Sequence, residues 1–505
     1  MLMLSLCAMF CFSVLIDFLT FRFYSHATLR SLFAITAIII GMLLCCLVIY
    51  IDWPFGIVFS FVYTYRFINS ARLLYGRMPL QQIRSIVVRT VALLTAMQTA
   101  VLFMMILYEY DYFYISSNTV LMSVAIAGAM SSFCVIIATL ANIAGSRPKT
   151  TATLSENEYP TVSVAIAARN ETPQLFDCLQ AVVASDYPKL EVLVFDDNSQ
   201  DTTAEIIKSF AHDGVRFIPW EYGNGDWLAK NKAYQILLEH ASGEIIAYIG
   251  VDVRLEPDSI RKSVEQLFVR NVRMISIVPQ RAKSGLVAVF IQPIRYWWEL
   301  AIPKFVRRRP PVLSTAWLIY TSDLRRMGSF HSYKKSIIPE EHFTRRMAKT
   351  AQYAFVRATQ QLNFKTQKTF ASQWDTQVRT RYPHAHRRPE TAMLQTVVLS
   401  VLVLWPFVAL PLLPFINAGA AINGMVIFAV VCYAVSHIII SIITNPIAGI
   451  FAPINFPLAV ALDILALHVS MYKYEFSKVI WKGRDVAPKK LQVISKLPQV
   501  DTIQG

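Results

Sequence analysis

Acidic residues follow short apolar runs in the middle of this chain, and their side chains could bind a cation. Asp196 and Asp197 come directly after the run 191–195, and Asp252 comes soon after another apolar run. Hard divalent cations bound beside phosphate groups prefer carboxylate oxygens, so Asp252 is a candidate metal ligand. A metal site of this type would have a second acid two residues earlier, where this chain has Gly250. The sequence therefore predicts a weakened cation site at Asp252, with a turn-capping acid as the structural alternative.

The segment from Tyr159 to about Arg388 contains short apolar runs that alternate with charged, helical segments. Such alternation predicts an α/β layer with a parallel sheet, and the ligands of such sheets bind at the carboxyl ends of the strands. The predicted strands are Thr161–Ala167 and Glu191–Phe195, and the predicted helices are Pro173–Ser185 and Ala204–Ala211. The acids that end strands are therefore the residues best placed to contact a ligand.

The composition indicates that much of this chain lies in a membrane. Hydrophobic residues make up 55% of the 505 residues, charged residues only 16%, and the mean hydropathy is +0.43. A soluble chain carries more charge with which to cover its apolar surface. Several apolar segments approach or exceed the roughly 20 residues that a helix needs to cross a bilayer. They are Met3–Thr20, Leu32–Ile51, Phe55–Phe67, Val91–Leu107, Val120–Ala144, Met393–Phe415, Ile422–Ile443 and Ile447–His468.

The distribution of basic residues orients these segments. Arginines lie between the third and fourth segments, whereas the loop Glu109–Asn118 carries only acids. Because basic residues favour the cytoplasmic side, the loop is predicted outside and the middle of the chain in the cytoplasm. Three further crossings would put the basic stretch Lys473–Lys496 outside, so we expect part of the last segment, which contains Pro453 and Pro457, to be re-entrant or interfacial. The predicted parts are transmembrane helices over 1–146, a cytoplasmic domain over 159–388, transmembrane or re-entrant helices over 392–472 and a basic cytoplasmic tail over 473–505.

Charge and cysteine spacing exclude two functional classes. The net charge is +15, but the basic clusters flank apolar segments and lack interleaved aromatic residues, so nucleic acid is not an expected partner. The same charge suits cytoplasmic loops that touch anionic headgroups. The seven cysteines show no metal-ligand spacing, so neither a disulfide framework nor a zinc site is predicted.

The order of motifs in the middle segment resembles glycosyltransferase family 2, whose catalytic domain has the nucleotide-sugar-binding GT-A fold. The motifs are Ala167-Ala168-Arg169-Asn170-Glu171, Phe195-Asp196-Asp197-Asn198-Ser199-Gln200-Asp201, Gly225, Lys230-Asn231 with Ala233, Ala241-Ser242-Gly243-Glu244 and the stretch around Asp252. The resemblance covers residues 159 to 382 approximately. It implies an α/β GT-A domain on the cytoplasmic side, inserted between two blocks of α-helical transmembrane segments.

The resemblance also implies which residues bind the donor. It assigns the uracil and ribose to Asp196 and Asp197, although such a pair also caps the following helix in many α/β proteins. Asp252 corresponds to the acid that holds Mg²⁺ or Mn²⁺ against the diphosphate, where the metal neutralises charge on the departing nucleotide. The other residues expected at the nucleotide are Ala168, Arg169, Glu171 and Lys230.

The same resemblance implies which residue is the general base and which residues contact the acceptor. Glu341 occupies the position of the acid that takes the proton of the acceptor hydroxyl, and an exposed glutamate at a helix start is the alternative. The element Gln377-Val378-Arg379-Thr380-Arg381-Tyr382 departs from the family's Gln-x-x-Arg-Trp by one extra residue and by its tyrosine. The residues expected at the acceptor or the diphosphate are Gln377, Arg381 and Tyr382, together with Trp297 and Trp298 of a predicted interfacial helix over 287–306. The alternative for the Gln377–Tyr382 element is a basic segment next to the membrane, and the alternative for the helix over 287–306 is a core helix of the catalytic domain.

These features predict an inverting membrane glycosyltransferase that moves one sugar from a nucleotide sugar, expected to be a UDP-sugar, to a membrane lipid. The stretch Val479-Ile480-Trp481-Lys482-Gly483-Arg484 resembles the tail of ceramide, hopanoid and carotenoid glycosyltransferases. A multi-pass protein of a bacterial-type plasma membrane is expected. Two alternatives stay open: a processive polysaccharide synthase that extrudes its polymer, and an inactive family member that acts as a binding scaffold.

Overall fold

The computed structural model describes residues 2–22, 26–74, 83–111, 117–150, 154–220, 227–282, 294–304, 306, 309–359, 361–415, 418–444, 446–482 and 484–485. Several predictions fall outside these residues. They concern Gly225, the first part of the predicted interfacial helix (287–293), Gly483 and the tail beyond Asp485.

Five long helices precede the middle of the chain. They are α1 (Leu2–Arg22), α2 (Ala27–Ile51), α3 (Trp53–Leu74), α4 (Ile83–Glu109) and α5 (Ser117–Ser146). α3 is longer than the predicted segment 55–67, and the charge of Arg66 within it is neutralised inside the bundle. The guanidinium of Arg66 donates to Asp17 Oδ2 over 2.8 Å and to Gln98 Oε1 over 2.9 Å. A charge paired in this way can remain within an apolar helix bundle.

Twelve strands are described. They are β1 (Val162–Ala168), β2 (Leu190–Asp196), β3 (Val215–Ile218), β4 (Ile245–Ile249), β5 (Val253–Arg254), β6 (Met274–Val278), β7 (Gln280–Arg281), β8 (Ala316–Tyr320), β9 (Tyr353–Arg357), β10 (Lys365–Thr366), β11 (Ile480–Trp481) and β12 (Arg484–Asp485). The main sheet has the order β3-β2-β1-β4-β8-β6-β9, in which β8 is antiparallel to both of its neighbours and the other pairs are parallel. A small sheet, β5-β10-β7, lies beside it.

Helices cover both faces of the main sheet. They are α6 (Thr172–Val183), α7 (Thr203–Ser209), α8 (Ala229–His240), α9 (Ser259–Arg270), α10 (294–300), α11 (Thr321–Arg326), α12 (Pro339–Lys349) and α13 (Phe370–His384). Alternate residues of β1 serve the two faces: Val164 and Ile166 pack with α6, α7 and α9, whereas Ala165 packs with α8 and α12. The prediction of an α/β domain between two helical blocks is thereby confirmed.

The second helical block begins where the α/β domain ends. α14 (Pro389–Val398) continues through a π-helical turn (Leu399–Leu404) into α15 (Trp405–Ala409) and a 3₁₀ turn, and α16 (Gly419–Thr444) and α17 (Pro446–Phe476) follow. β11 and β12 then form a hairpin. Among the described residues, six helices are long and apolar enough to cross a membrane.

α17 stays beside the α/β domain along most of its length. The rings of Phe456 and Trp297 lie 5.4 Å apart, Ser470 Oγ accepts from the backbone N–H of Tyr382, and Tyr474 donates to the carbonyl of Arg379. These contacts span roughly 27 Å of helix, close to the thickness of a bilayer core. α17 is unbroken at both of its internal prolines. The helix shows no re-entrant turn, and Phe456 also packs against Tyr433 and His437 of α16. The interfacial position of this segment therefore stays a prediction.

Candidate active site

The carboxyl ends of β1 and β2 form the first side of the site. The two strands pair in parallel with Ala168 opposite Asp196, so the residues that follow them lie side by side. The N–H of Asp197 donates to the carbonyl of Ala168 over 2.9 Å. Arg169 in turn donates to the backbone carbonyls of Asp197 and Asn198. The parallel register thus brings the expected donor-binding residues of both strands together.

Asp196 and Asp197 have different surroundings. The carboxylate of Asp196 accepts hydrogen bonds from the hydroxyl of Ser199 over 2.5 Å and from its backbone N–H over 3.3 Å. It therefore closes the turn that follows β2 but does not cap α7, whose first N–H donates to Asp201. Asp197 is also buried, but it lines the cavity of the site.

A cavity of about 1320 Å³ joins these strand ends to the membrane helices. At the polar end its walls include Arg169, Glu171, Asp197, Asp252, Lys368 and Arg379. Where α5, α14 with its π turn, and α16 meet, its walls include Cys134, Val135, Val398, Leu402, Val403 and Tyr433. Glu341, Trp297 and Trp298 also contribute to the wall.

Asp252 is bonded to two neighbours from the segment around β10. Its Oδ2 accepts from the hydroxyl of Thr366 over 2.7 Å and lies 3.3 Å from the ammonium of Lys368. Burial by itself would raise the pKa of Asp252, but the charge of Lys368 and the hydrogen bond from Thr366 outweigh it, so the pKa is lowered. Asp252 is therefore a carboxylate with a cationic partner in Lys368.

Gly250 leaves the space that Asp252 uses. A Cβ atom at residue 250 would lie 2.7 Å from Asp252 Oδ1, closer than two such atoms can approach. The next nearest atom, the carbonyl oxygen of Thr315, would be 3.5 Å away. The space at residue 250 is thus occupied by the carboxylate of Asp252.

The residues at this strand end do not fit the divalent cation that the family resemblance implies. Asp252 offers one carboxylate, which is already bonded to an ammonium and a hydroxyl. Across the described residues, no three His, Cys, Asp or Glu side chains come together in a group that could hold a metal ion. Divalent cations need several oxygen ligands, and an adjacent ammonium repels them.

Lys230 lies against the second acidic element. Its ammonium pairs with Glu340, whose side chain is fully buried, and lies 5.0 Å from the centre of the Tyr234 ring. The neighbouring Asn231 donates to the carbonyls of Tyr333 and Ser336 and so holds the loop before α12. Lys230, expected at the nucleotide, thus anchors the start of α12, although it also lines the cavity.

Glu341 stands in the first turn of α12, next to cationic side chains. Arg345 donates to its Oε1 over 2.6 Å, and Arg309 Nε lies 3.8 Å from its Oε2. Arg309 also pairs with Glu299 over 2.6 Å. The side chain of Glu341 is 15% exposed and lines the cavity, so a hydroxyl group in the cavity can reach it.

α13 directs the residues of the Gln377–Tyr382 element to different places. Gln377 and Arg379 line the cavity, and the guanidinium of Arg379 stacks 4.7 Å from the centre of the Trp481 ring. Arg381 lines it too, but is paired with Asp463 over 2.6 Å. Tyr382 is fully buried, and its hydroxyl accepts from Arg72 over 2.6 Å. Tyr382 thus lies away from the acceptor position expected for it.

The two tryptophans expected in an interfacial helix are packed inside the protein. Trp297 is 2% exposed and contacts Phe456 of α17. Trp298 donates its indole N–H to Asp463 Oδ2 over 3.1 Å and lies under the guanidinium of Arg381. α10 thus packs between the α/β domain and the second helical block, and it lies outside the two core clusters of the α/β domain.

The hairpin β11–β12 closes over the end of β1. The ammonium of Lys482 lies 3.1 Å from Glu171 and donates to the carbonyl of Asn170 over 2.9 Å. The guanidinium of Arg169 donates to the carbonyl of Lys482 over 2.9 Å. Burial raises the pKa of Glu171, and the charge of Lys482 partly offsets that effect. The segment resembling the tail of lipid-modifying members thus borders the donor end of the cavity.

Three functional candidates were not identified from the sequence: Lys368, Asp463 and the hairpin as a wall of the site. Lys368 and Asp252 are 116 positions apart, and no local motif marks the lysine. Arg379 lies within the Gln377–Tyr382 element. On a helix, residues two apart point in different directions, so this spacing indicates that Arg379 and Arg381 contact different partners.

Comparisons with known proteins find similarity to glycosyltransferases in the middle of the chain. Residues 163–327 match the family model described as Glycosyl transferase family 2. "Glycosyltransferase AglE" of Haloferax volcanii is 32% identical over 120 residues, which cover 23% of this chain and 38% of that protein. "Poly-beta-1,6-N-acetyl-D-glucosamine synthase" of Staphylococcus epidermidis is 29% identical over 140 residues, 27% of this chain and 32% of that protein. "4,4'-diaponeurosporenoate glycosyltransferase" of Staphylococcus aureus is 27% identical over 146 residues, 28% of this chain and 38% of that protein. The chain thus spans well under half the length of these relatives.

Similar solved structures include a mannosyltransferase, PcManGT from Pyrobaculum calidifontis, in complex with GDP-Man and Mn²⁺. It is 18% identical, with a TM-score of 0.37, over 68% of this chain and 99% of the other. TarS 1–349 of S. aureus in complex with UDP-GlcNAc is 12% identical, with a TM-score of 0.31, over 62% of this chain and 91% of the other.

Proposed function

We propose that this chain, whose residues 163–327 belong to glycosyl transferase family 2, transfers a single sugar from a nucleotide sugar to a membrane lipid. The donor we expect is a UDP-sugar, and the reaction takes place at the cytoplasmic face of a plasma membrane. One observation carries this proposal: a single cavity connects the strand-end carboxylates to apolar walls supplied by the membrane helices.

The apolar end of the cavity supports a lipid acceptor. Val135, Val398, Leu402 and Val403 offer hydrocarbon to whatever lies beside them. The free energy of moving a lipid chain from the bilayer to these walls would be small, because both surroundings are apolar. A growing polysaccharide would leave sugar hydroxyls without partners along such walls, at a cost of a few kcal/mol for each hydroxyl, on the order given by transfer measurements.

The polar end of the cavity supports a nucleotide-sugar donor. Asp197 is available beside the end of β2, where ligands of parallel sheets bind. Arg169 and Arg379 border the same space, and their charges suit a diphosphate. A divalent cation at Asp252 is not included in the proposal, because that carboxylate already pairs with Lys368.

Glu341 is the proposed general base. In a direct displacement, the acceptor oxygen forms a bond to the anomeric carbon while the bond from that carbon to the diphosphate breaks. The acceptor proton passes to the carboxylate of Glu341, and the electron pair of the broken bond leaves with the diphosphate. One base and one displacement invert the anomeric configuration. Arg345 and Arg309 contact the two oxygens of the Glu341 carboxylate and so orient it.

A processive synthase is the second candidate, because one relative of this chain carries the name of a poly-β-1,6-N-acetylglucosamine synthase. The two candidates differ in what they need. A synthase makes polymer from the donor alone, whereas a lipid transferase stops without its acceptor. An inactive scaffold would bind the donor and transfer nothing.

The test uses the purified full-length chain in detergent, each common UDP-sugar with a radiolabelled sugar, and a membrane lipid extract. We expect one discrete glycolipid on thin-layer chromatography, identified by mass spectrometry, and no product without the extract. A ladder or smear that a polysaccharide hydrolase removes would favour the synthase instead. Donor binding without any transfer would favour the scaffold.

A further inference from the structure

We infer that the ammonium of Lys368, rather than a divalent cation, neutralises the diphosphate of the donor in this site. The inference rests on the proposed function as far as the donor is a nucleoside diphosphate sugar. It does not depend on which sugar is moved or on which acceptor takes it.

The backbone fixes Lys368 beside Asp252. β10 pairs antiparallel with β5, with Thr366 opposite Val253, and the N–H of Gln367 donates to the carbonyl of Asp252 over 3.0 Å. From this position the Lys368 ammonium comes within 3.3 Å of Asp252 Oδ2 and lines the cavity with a side chain that is 18% exposed. The contact therefore follows from strand pairing and does not depend on a side chain bending across open solvent.

The charges around Lys368 call for an anion. Burial lowers the pKa of Lys368, Asp252 opposes that effect, and the charges of Arg295 and Arg379 lower the pKa further. Those two arginines line the same cavity, and within the described residues neither forms an ion pair with a carboxylate. A second carboxylate nearby, Glu171, is already paired with Lys482. Lys368 and the two arginines therefore leave a surplus of positive charge over Asp252, which a bound diphosphate would offset.

Gly250 and Lys368 together account for the missing acid. Two carboxylates with a divalent cation sum to zero formal charge, and one carboxylate with one ammonium also sums to zero. With glycine at residue 250 the site has one carboxylate instead of two. The single positive charge of Lys368 then balances it, as the two charges of a divalent cation would balance a pair of carboxylates. The glycine also opens the space into which Asp252 Oδ1 projects, 2.7 Å from the missing Cβ.

In the transfer step, Lys368 acts on the leaving group. As the bond between the anomeric carbon and the diphosphate oxygen breaks, its electron pair remains on that oxygen and the charge of the diphosphate grows. The Lys368 ammonium donates a hydrogen bond to the diphosphate and offsets this charge, with Arg379 beside it. The acceptor proton goes to Glu341, so Lys368 keeps its own protons.

Binding of UDP to the purified full-length chain tests the inference without any acceptor or turnover. Calorimetric titration is carried out in EDTA and again with Mn²⁺. We expect dissociation constants within about twofold of each other in the two conditions. Lys368→Ala should weaken binding by about tenfold or more, the usual scale for a charge-assisted hydrogen bond, and Mn²⁺ should not restore it. Lys368→Arg, which keeps the charge, should retain most of the affinity.

Lys365→Ala is the matched control. Lys365 lies on β10, is 42% exposed and pairs with Glu256 at the surface, so its loss should leave UDP binding unchanged. Size-exclusion profiles and melting temperatures of all variants separate misfolding from loss of the cation.

Three outcomes would overturn the inference. The first is loss of UDP binding by the unmodified chain in EDTA with recovery in Mn²⁺, and the second is normal binding by Lys368→Ala. Absence of UDP binding in both conditions would overturn it together with the UDP-sugar part of the proposed function. Metal-independent binding by a chain that then makes polymer would sustain the inference while the proposed single transfer fails.

Discussion

The carboxylate of Asp252 occupies space that a side chain at residue 250 would need. Gly250 is therefore a position that makes room for Asp252 as well as one that lacks an acid. An aspartate at residue 250 would restore the second acid of the motif only if the strand end has room for its side chain. Because a Cβ at residue 250 would lie 2.7 Å from Asp252 Oδ1, any side chain there requires the carboxylate of Asp252 to move. The short side chain of Asp252 is also held by Thr366 and Lys368, so it cannot turn away freely.

Gly250→Ala should therefore weaken UDP binding by about tenfold, equivalent to roughly 1.4 kcal/mol, because the methyl group displaces Asp252 from its hydrogen bond and its ion pair. Calorimetric titration of UDP measures the effect. Gly145→Ala is the control, since a Cβ there meets nothing within 4 Å. Equal affinities of Gly250→Ala and the unmodified chain would show that Asp252 has no role in holding the cationic site.

Glu341→Gln tests the proposed base at the same scale. Donor binding should be retained and transfer should fall by about 10²–10⁴-fold, the usual range for loss of a general base. Glu341→Asp should keep part of the activity because it preserves the carboxylate. Glu239→Gln, on an exposed side chain of α8, should behave like the unmodified chain. Turnover of Glu341→Gln near the normal rate would exclude Glu341 as the base.

At the scale of elements, the hairpin β11–β12 forms part of the donor end although it follows the last long helix. Lys482 and Arg169 connect it to the end of β1, and Trp481 stacks with Arg379 of α13. Three separate elements thus meet where the donor would lie. Loss of a single contact should therefore change donor affinity more than it changes chemistry.

Lys482→Met should raise the KM for the donor by about fivefold, because a partly buried ion pair of this kind is worth about 1 kcal/mol, and kcat should change little. Steady-state transfer assays over a range of donor concentrations measure both constants. Lys478→Met, on an exposed residue just before the hairpin, is the control. If Lys482→Met lowers the melting temperature but leaves KM unchanged, the hairpin supports the fold and not the donor.

At the scale of the whole molecule, α17 determines where the chain ends relative to the membrane. It is long and apolar enough to cross, yet its contacts with α10 and α13 extend from Phe456 to Tyr474. The salt bridge between Arg72 and Glu475 adds the end of α3 to the same side. α17 also packs against α16, so an interfacial position for it stays a prediction that rests on the positive charge of the tail.

A reporter fused after the last residue should therefore lie on the same side of the membrane as the α/β domain. Fluorescent-protein and alkaline-phosphatase fusions in bacterial cells measure this, because the first is fluorescent inside and the second is active outside. A fusion after Asp111, at the acidic loop predicted outside, should give the opposite result. Matching results for the two fusion sites would contradict the assignment of α17.

The sequence by itself determined the features that depend on neighbouring residues. Apolar runs of sufficient length predicted the long helices, and the alternation of strands and helices predicted the α/β domain with acids at its strand ends. These are local patterns, because periodicity and hydrophobicity are properties of a short window. The family resemblance then followed from the order of the motifs.

Tertiary structure decided which of those residues share the site. The pairing of Asp252 with Lys368, of Glu171 with Lys482 and of Arg381 with Asp463 joins residues that are far apart along the chain. Such contacts depend on strand pairing and on how helices pack, so no short window of sequence contains them. On α13, Arg379 lines the cavity, whereas Tyr382 is buried against Arg72 of α3 and Ser470 of α17. Which partner each residue meets depends on how the helices pack, and that packing is not written in a short window of sequence.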